Sequence, residues 1–148
     1  MAIRATLFLN LPVRDLERTK QFFATLGFEF DHRFEDDASA CLLLGNGASA
    51  MLMTEARFRD FSPRELPNLA QRASAIFALE LPSRADVDRI ADKAVELGGA
   101  QAMPPYEMGG FMYGRSFYDL EGHHWEVFFM DEAGFAKSRA QEAGPSVH

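Results

Sequence analysis

The pattern Leu-Pro-x-Arg occurs twice in this chain, at Leu11-Pro12-Val13-Arg14 and again 70 residues later at Leu81-Pro82-Ser83-Arg84. Each copy follows a β-like run, opens an amphipathic stretch and leads to a Leu-Gly stop, Leu26-Gly27 in the first case and Leu97-Gly98 in the second. A four-residue match alone carries little weight. Two copies set in the same order of elements mark one supersecondary unit made twice.

In the first copy, residues 5–13 predict a strand ending at Pro12. Asp15 is placed to cap a helix over 16–26, where Leu16, Phe22, Phe23 and Leu26 recur at helical spacing and Gly27 stops the run. Three β-like runs follow at 28–34, 39–44 and 49–54. The acidic turn Glu35-Asp36-Asp37 divides the first two, and Gly45-Asn46-Gly47, a hairpin signal, divides the last two. The second copy repeats the order. It has a strand over 74–82, a helix over 83–97 capped by Ser83 and closed by Gly98-Gly99, and strands at 100–104, 111–118 and 123–130. The predicted fold class is α+β: two tandem βαβββ modules, 5–54 and 74–131, in a single domain spanning 1–131. Residues 55–73 read as a polar connector with a short helix opening at Ser62-Pro63-Arg64-Glu65. Residues 132–148 read as a loosely held polar tail.

At 148 residues there is room for one ordinary domain or two small halves sharing a core. The net charge of −7, with 15 scattered basic residues, argues against a nucleic-acid partner, which needs clustered Lys and Arg. No apolar run approaches the roughly 20 residues of a membrane span. The N-terminus lacks the pattern of a secretory signal, and the single cysteine, Cys41, leaves no internal disulfide to form. The expected location is the cytoplasm. No Ser-His-Asp order, phosphate loop or CxxC pair is present.

Three stretches go further than composition. They are Phe8 to Leu16 (FLNLPVRDL), Gln21-Phe22-Phe23 with Leu26-Gly27-Phe28, and Tyr113 to Phe117 followed by Asp119-Leu120-Glu121-Gly122-His123-His124-Trp125-Glu126-Val127. Together they resemble the vicinal-oxygen-chelate superfamily of glyoxalases, bleomycin resistance proteins and dioxygenases, and within it a lactoylglutathione-lyase-like branch. The resemblance runs from about residue 5 to Asp131. It implies that both modules contribute to a curved-sheet cup enclosing a cavity, and that the protein is a homodimer. In metal-dependent members it implies four ligands, two per module: His or Gln, Glu, His and Glu. Carried onto this chain, those positions fall on Phe8, Leu52, Ile76 and Glu126. The first three have no lone pair to offer an ion, so no metal or other cofactor is expected. A divalent ion would need substituted ligands.

Glu126 stands in the apolar run WEVFFM. It reads either as a cavity carboxylate that binds substrate or serves as general base, or as a structural Glu held by a local donor. Strand alternation puts His124 on its face and His123 and Trp125 opposite. His124 either lines a pocket mouth or joins Glu126 in a two-ligand ion site. Asn10 shares a face with Phe8, and either meets a ligand or satisfies backbone at the strand end. Tyr113 and Arg115 lie in an aromatic strand, where Arg115 either holds an anionic ligand group or pairs with Glu126 or Asp119. Gly109-Gly110 reads as a mobile loop or a plain turn, and Cys41 as a packed core thiol.

Two functions follow. One is a protein that binds a small organic molecule without metal, lined by Phe8, Asn10, Leu52, Ile76, Tyr113, Arg115 and His124 around Glu126. The other is a lactoylglutathione-lyase-like isomerase or lyase using Glu126 as base. A third reading is a dimeric scaffold whose cavity is filled by its own Phe and Met side chains.

Overall fold

The structure, a computed structural model, describes residues 1–142. The chain divides into two compact units, Met1–Arg72 and a second from Ala73 on, each built on its own mixed sheet. The fold is α+β as the repeat predicts.

In the first unit β1 (Leu7–Val13) runs parallel to β3 (Ala48–Thr54), and β3 pairs antiparallel with β2 (Ser39–Gly45). The crossover is α1 (Leu16–Leu26), with the bounds the apolar spacing predicts. The Asp15 carboxylate accepts the Arg18 N–H at 3.0 Å, and Gly27 ends the helix at φ 109°, a left-handed value that glycine adopts without Cβ strain. Leu16, Phe22, Phe23 and Leu26 are all buried.

Two local expectations fail here. The run 28–34 is not a strand. Phe30 alone bridges to Leu42, and His32–Phe34 form a 3-10 turn. Asp31 causes this: its carboxylate takes the Arg33 N–H at 3.1 Å and the Arg33 guanidinium at 2.7 Å, so the backbone donor a ladder would need is spent locally. The connector helix is also displaced. It is α2 (Glu55–Phe61), capped by Thr54, whose hydroxyl accepts the Arg57 N–H at 3.2 Å. Ser62 closes this helix rather than opening another. It precedes Pro63, and its extended φ −133°, ψ 119° is what a following proline favours.

The second unit has the strand order β4-β8-β7-β5. β4 (Ile76–Glu80) lies parallel to β8 (His124–Met130), which is antiparallel to β7 (Met112–Tyr118). β5 is only Ala100–Gln101. An unforeseen strand, β6 (Tyr106–Met108), pairs with β7 through a turn at Gly109-Gly110, so the plain-turn reading of the two glycines holds. Helix α3 (Arg84–Glu96), capped by Ser83 as predicted, packs on β7 and β8 through Val87, Ile90, Ala91 and Ala94. Residues 132–142 are not a loose tail but α4 (Glu132–Glu142), rich in helix formers, with the Phe135 ring packed at a tilt against Phe111, centroids 5.1 Å apart. Residues 143–148 of that expected tail lie outside the described residues. No helix among the described residues is long and apolar enough to cross a membrane.

Candidate functional site

Successive side chains of a strand point to opposite faces, and cross-strand partners share a face. In the second unit Phe117, Trp125 and Val127 share the face that packs on α3, and all three are fully buried. The opposite face carries the candidate site. Its first row is Ile76, His124 and Tyr118, and its second is Ala78, Glu126 and Ser116. The third holds Glu80, Phe128, Gly114 and Tyr106. Ile76 is 58% exposed and Glu126 half-buried. The rings of Tyr118 and His124 pack at 5.1 Å.

Tyr106 connects the third row to the second. Its ring crosses directly over Gly114 and carries the hydroxyl toward the Glu126 carboxylate, whose charge and weaker hydrogen bonding both act on the phenol. A Cβ built on Gly114 would stand 2.5 Å from three atoms of that ring and hydroxyl, so only glycine leaves the tyrosine its path. Burial, the Glu126 charge and the hydrogen bond to it push the Tyr106 phenol up to about 12. The phenol therefore keeps its proton at neutral pH. An absorbance titration of tyrosinate should show its last step near pH 12, and Tyr106→Phe should remove that step. A wild-type titration complete near pH 10 would contradict the contact.

Arg115 and Tyr113 are not brought to this site. Register puts both on the α3 face. Arg115 donates to Asp88 at 3.2 Å and Asp92 at 2.7 Å, and Tyr113 donates to Asp88 at 2.5 Å. The Tyr113 hydroxyl, seconded by Arg115, holds the Asp88 carboxyl below its usual range. Neither of the partners expected for Arg115, Glu126 or Asp119, is the one it takes. This cluster ties helix to sheet. Since both aspartates are half-exposed or more, Arg115→Ala should cost only about 1–2 kcal/mol, read by denaturant melts.

The D-x-x-G-H-x-W segment has a structural task. Asp119 Oδ1 accepts the N–H groups of Glu121 at 2.9 Å and His123 at 3.0 Å, while Oδ2 accepts Trp125 Nε1 at 2.9 Å. These bonds form the β7–β8 turn, where Gly122 takes φ 94°, and they seat the buried Trp125.

In the first unit Phe8 and Asn10 share a face with Met51 and Met53. Leu52 lies on the other face, in the core at 0% exposure, so it does not accompany Phe8 as the sequence reading has it. The β3 residue that stands to Phe8 as Glu126 stands to Ile76 is Met51. Asn10 Nδ2 donates to the Phe8 carbonyl at 3.2 Å. Asn10 also lines a cavity of about 330 Å³ with Met53, Phe58, Phe61 and Ser62.

The four positions that the family resemblance assigns to metal ligands thus carry Phe8, Met51, Ile76 and Glu126. A thioether is a soft, weak donor, and one carboxylate does not make a site for a divalent ion. Among the described residues no group of three or more His, Cys, Asp or Glu is placed to hold one. These residues do not fit the metal.

Sequence reasoning misses Tyr106 and Glu80 on the Glu126 face and, in the first unit, Met51 beside Phe8. Tyr106 was hidden because MPPYEMGG reads as loop, although YEM-GG-FMYG carries the glycine pair of a short hairpin.

Comparison with known proteins bears on the whole arrangement. The family model described as Glyoxalase/Bleomycin resistance protein/Dioxygenase superfamily matches residues 6–127. A hypothetical protein from S. aureus is 29% identical, with TM-score 0.72, over 87% of this chain and 95% of that one. A glyoxalase/bleomycin resistance protein/dioxygenase family enzyme from Burkholderia phytofirmans PsJN is 15% identical, with TM-score 0.72, over 86% of this chain and 100% of that one. The fosfomycin resistance protein FosX from Listeria monocytogenes is 18% identical, with TM-score 0.66, over 93% and 99%. At those identities the last two show a shared fold. No curated protein matches the chain significantly.

Proposed function

Because the chain belongs to the glyoxalase/bleomycin resistance protein/dioxygenase superfamily, we propose that it binds a small organic molecule on the sheet face carrying Glu126, without a divalent ion. The observation that supports this best is the donor set, in which Phe8, Met51 and Ile76 stand where chelating members of such a family need nitrogen or oxygen. Fold alone does not assign activity, so the reading rests on the face itself. That face joins an exposed Ile76, the Tyr118–His124 ring pair and Phe128 around one carboxylate held by one phenol. Apolar area with a few placed polar groups is how small-ligand sites are built.

A thermal-shift screen of aromatic and amphipathic small molecules tests this. Some of them should raise the melting temperature, by the same amount with and without EDTA. Absence of any shift across the screen, or shifts abolished by EDTA, would count against it. A homodimer belongs to the same reading and is checked by sedimentation equilibrium.

The Glu126–Tyr106 contact favours one second reading, a lactoylglutathione-lyase-like isomerase or lyase. There the carboxylate takes a proton from carbon beside a carbonyl, and the protonated phenol keeps that carboxylate in place. Turnover of a thiol–aldehyde adduct that Glu126→Gln abolishes while binding persists would establish it.

A further inference from the structure

We propose that the Glu126 face selects organic cations, small molecules that carry a protonated or quaternary amine on an aromatic or aliphatic body. This rests on the reading that the face binds a ligand, and it adds the ligand's charge.

The register places two carboxylates on this face, Glu126 and, diagonally across β4 and β8, Glu80. No Lys or Arg occupies any β4, β6, β7 or β8 position that shares the face. The arginines of this region are on other business. Arg115 is bound to Asp88 and Asp92 on the α3 side, and Arg84 to Glu107. Among the described residues neither Glu126 nor Glu80 enters an ion pair.

An ionised carboxylate offers about four lone-pair positions, and Tyr106 uses one of those on Glu126. No Lys or Arg stands on this face to meet the remainder. An anionic ligand would thus meet like charge and no Lys or Arg, whereas an ammonium group would find both charge and acceptors. The rings of Tyr106, Phe128 and Tyr118 sit around the carboxylate, and aromatic faces attract cations by about 0.5–2 kcal/mol. Exposed Ile76 supplies contact for the ligand's body. His124 is the one basic side chain on the face, and its ring is packed against Tyr118.

Isothermal titration with three probes of one shape tests the proposal: phenethylamine, 2-phenylethanol and 3-phenylpropionate, at neutral pH in EDTA. Phenethylamine should bind at least about tenfold more tightly than the other two, and added salt should weaken it. Glu126→Gln should make the three alike. Tyr106→Phe, which keeps the charge, should keep the amine preferred but bind it several-fold more weakly. Equal binding of the probes by the wild type, or a preference that survives Glu126→Gln, would overturn cation selection while leaving the ligand reading intact. The same holds if none of the three binds but the wider screen returns only neutral or anionic ligands. If nothing binds in either experiment, both fall.

Discussion

Replacing Asp119 by Ala is expected to cost about 3 kcal/mol of stability and to lower the melting temperature by roughly 6–12 °C. The carboxylate accepts three hydrogen bonds inside the protein, from the Glu121 and His123 backbone and from Trp125 Nε1. Asp119, His123 and Trp125 are all buried, so water does not replace the lost acceptor for Trp125 or His123. Asp119→Asn separates the two parts. An amide oxygen in the Oδ1 position still holds the turn, but the NH2 group then faces the indole N–H, and about half the loss should remain.

Burial is the main influence on this carboxyl and pushes its pKa above the ordinary 3.8, against the pull of His123 and of the hydrogen bonds. The sign follows. Above 3.8 the folded chain keeps a proton that the unfolded chain has released, so this contribution to stability is fully present below 3.8 and is lost as pH rises through the folded value. Asp119→Asn should flatten that segment of the stability–pH curve. A curve unchanged by the substitution would place the titration elsewhere.

Gly114→Ala is the second large effect, and it is a lesion of the site more than of the fold. The new methyl would overlap the end of the Tyr106 ring at 2.5 Å. That end belongs to a side chain that can turn away, so the strand survives at a cost of about 1–2 kcal/mol while the hydroxyl leaves Glu126. Two readouts should move together. The highest tyrosinate step should fall below its place near pH 12, and affinity for the ligand should fall several-fold. Tyr106→Phe should reproduce the loss in affinity. A Gly114→Ala protein that keeps the high tyrosinate step would show that the ring does not lie where the contact requires.

The parts of the fold fixed by local chemistry were legible in the sequence. Asp15 with Gly27, and Ser83 with the stop after Leu97, delimit α1 and α3 because caps act within one turn of the chain. The site was half legible. Alternation correctly joined His124 to Glu126 and separated both from Trp125. It failed where the register between strands decides. Leu52 and Met51 are adjacent in sequence, and only the pairing with β1 shows that Met51 shares a face with Phe8. Arg115 and Tyr113 were misassigned for a related reason. Alternation along β7 is plain, but which parity meets α3 depends on Asp88 and Asp92, 27 and 23 residues before Arg115. Asp31 and Thr54 were missed as competitors, since short polar side chains beside a β-like run can redirect the backbone into turns and caps.

Most directly, the account is tested by elemental analysis of the freshly purified chain after dialysis without chelator. With one carboxylate and three side chains unsuited to a hard cation, zinc, nickel, iron and manganese should each fall far below one atom per chain. One tightly held ion per chain, lost together with ligand binding on prolonged treatment with EDTA, would contradict it.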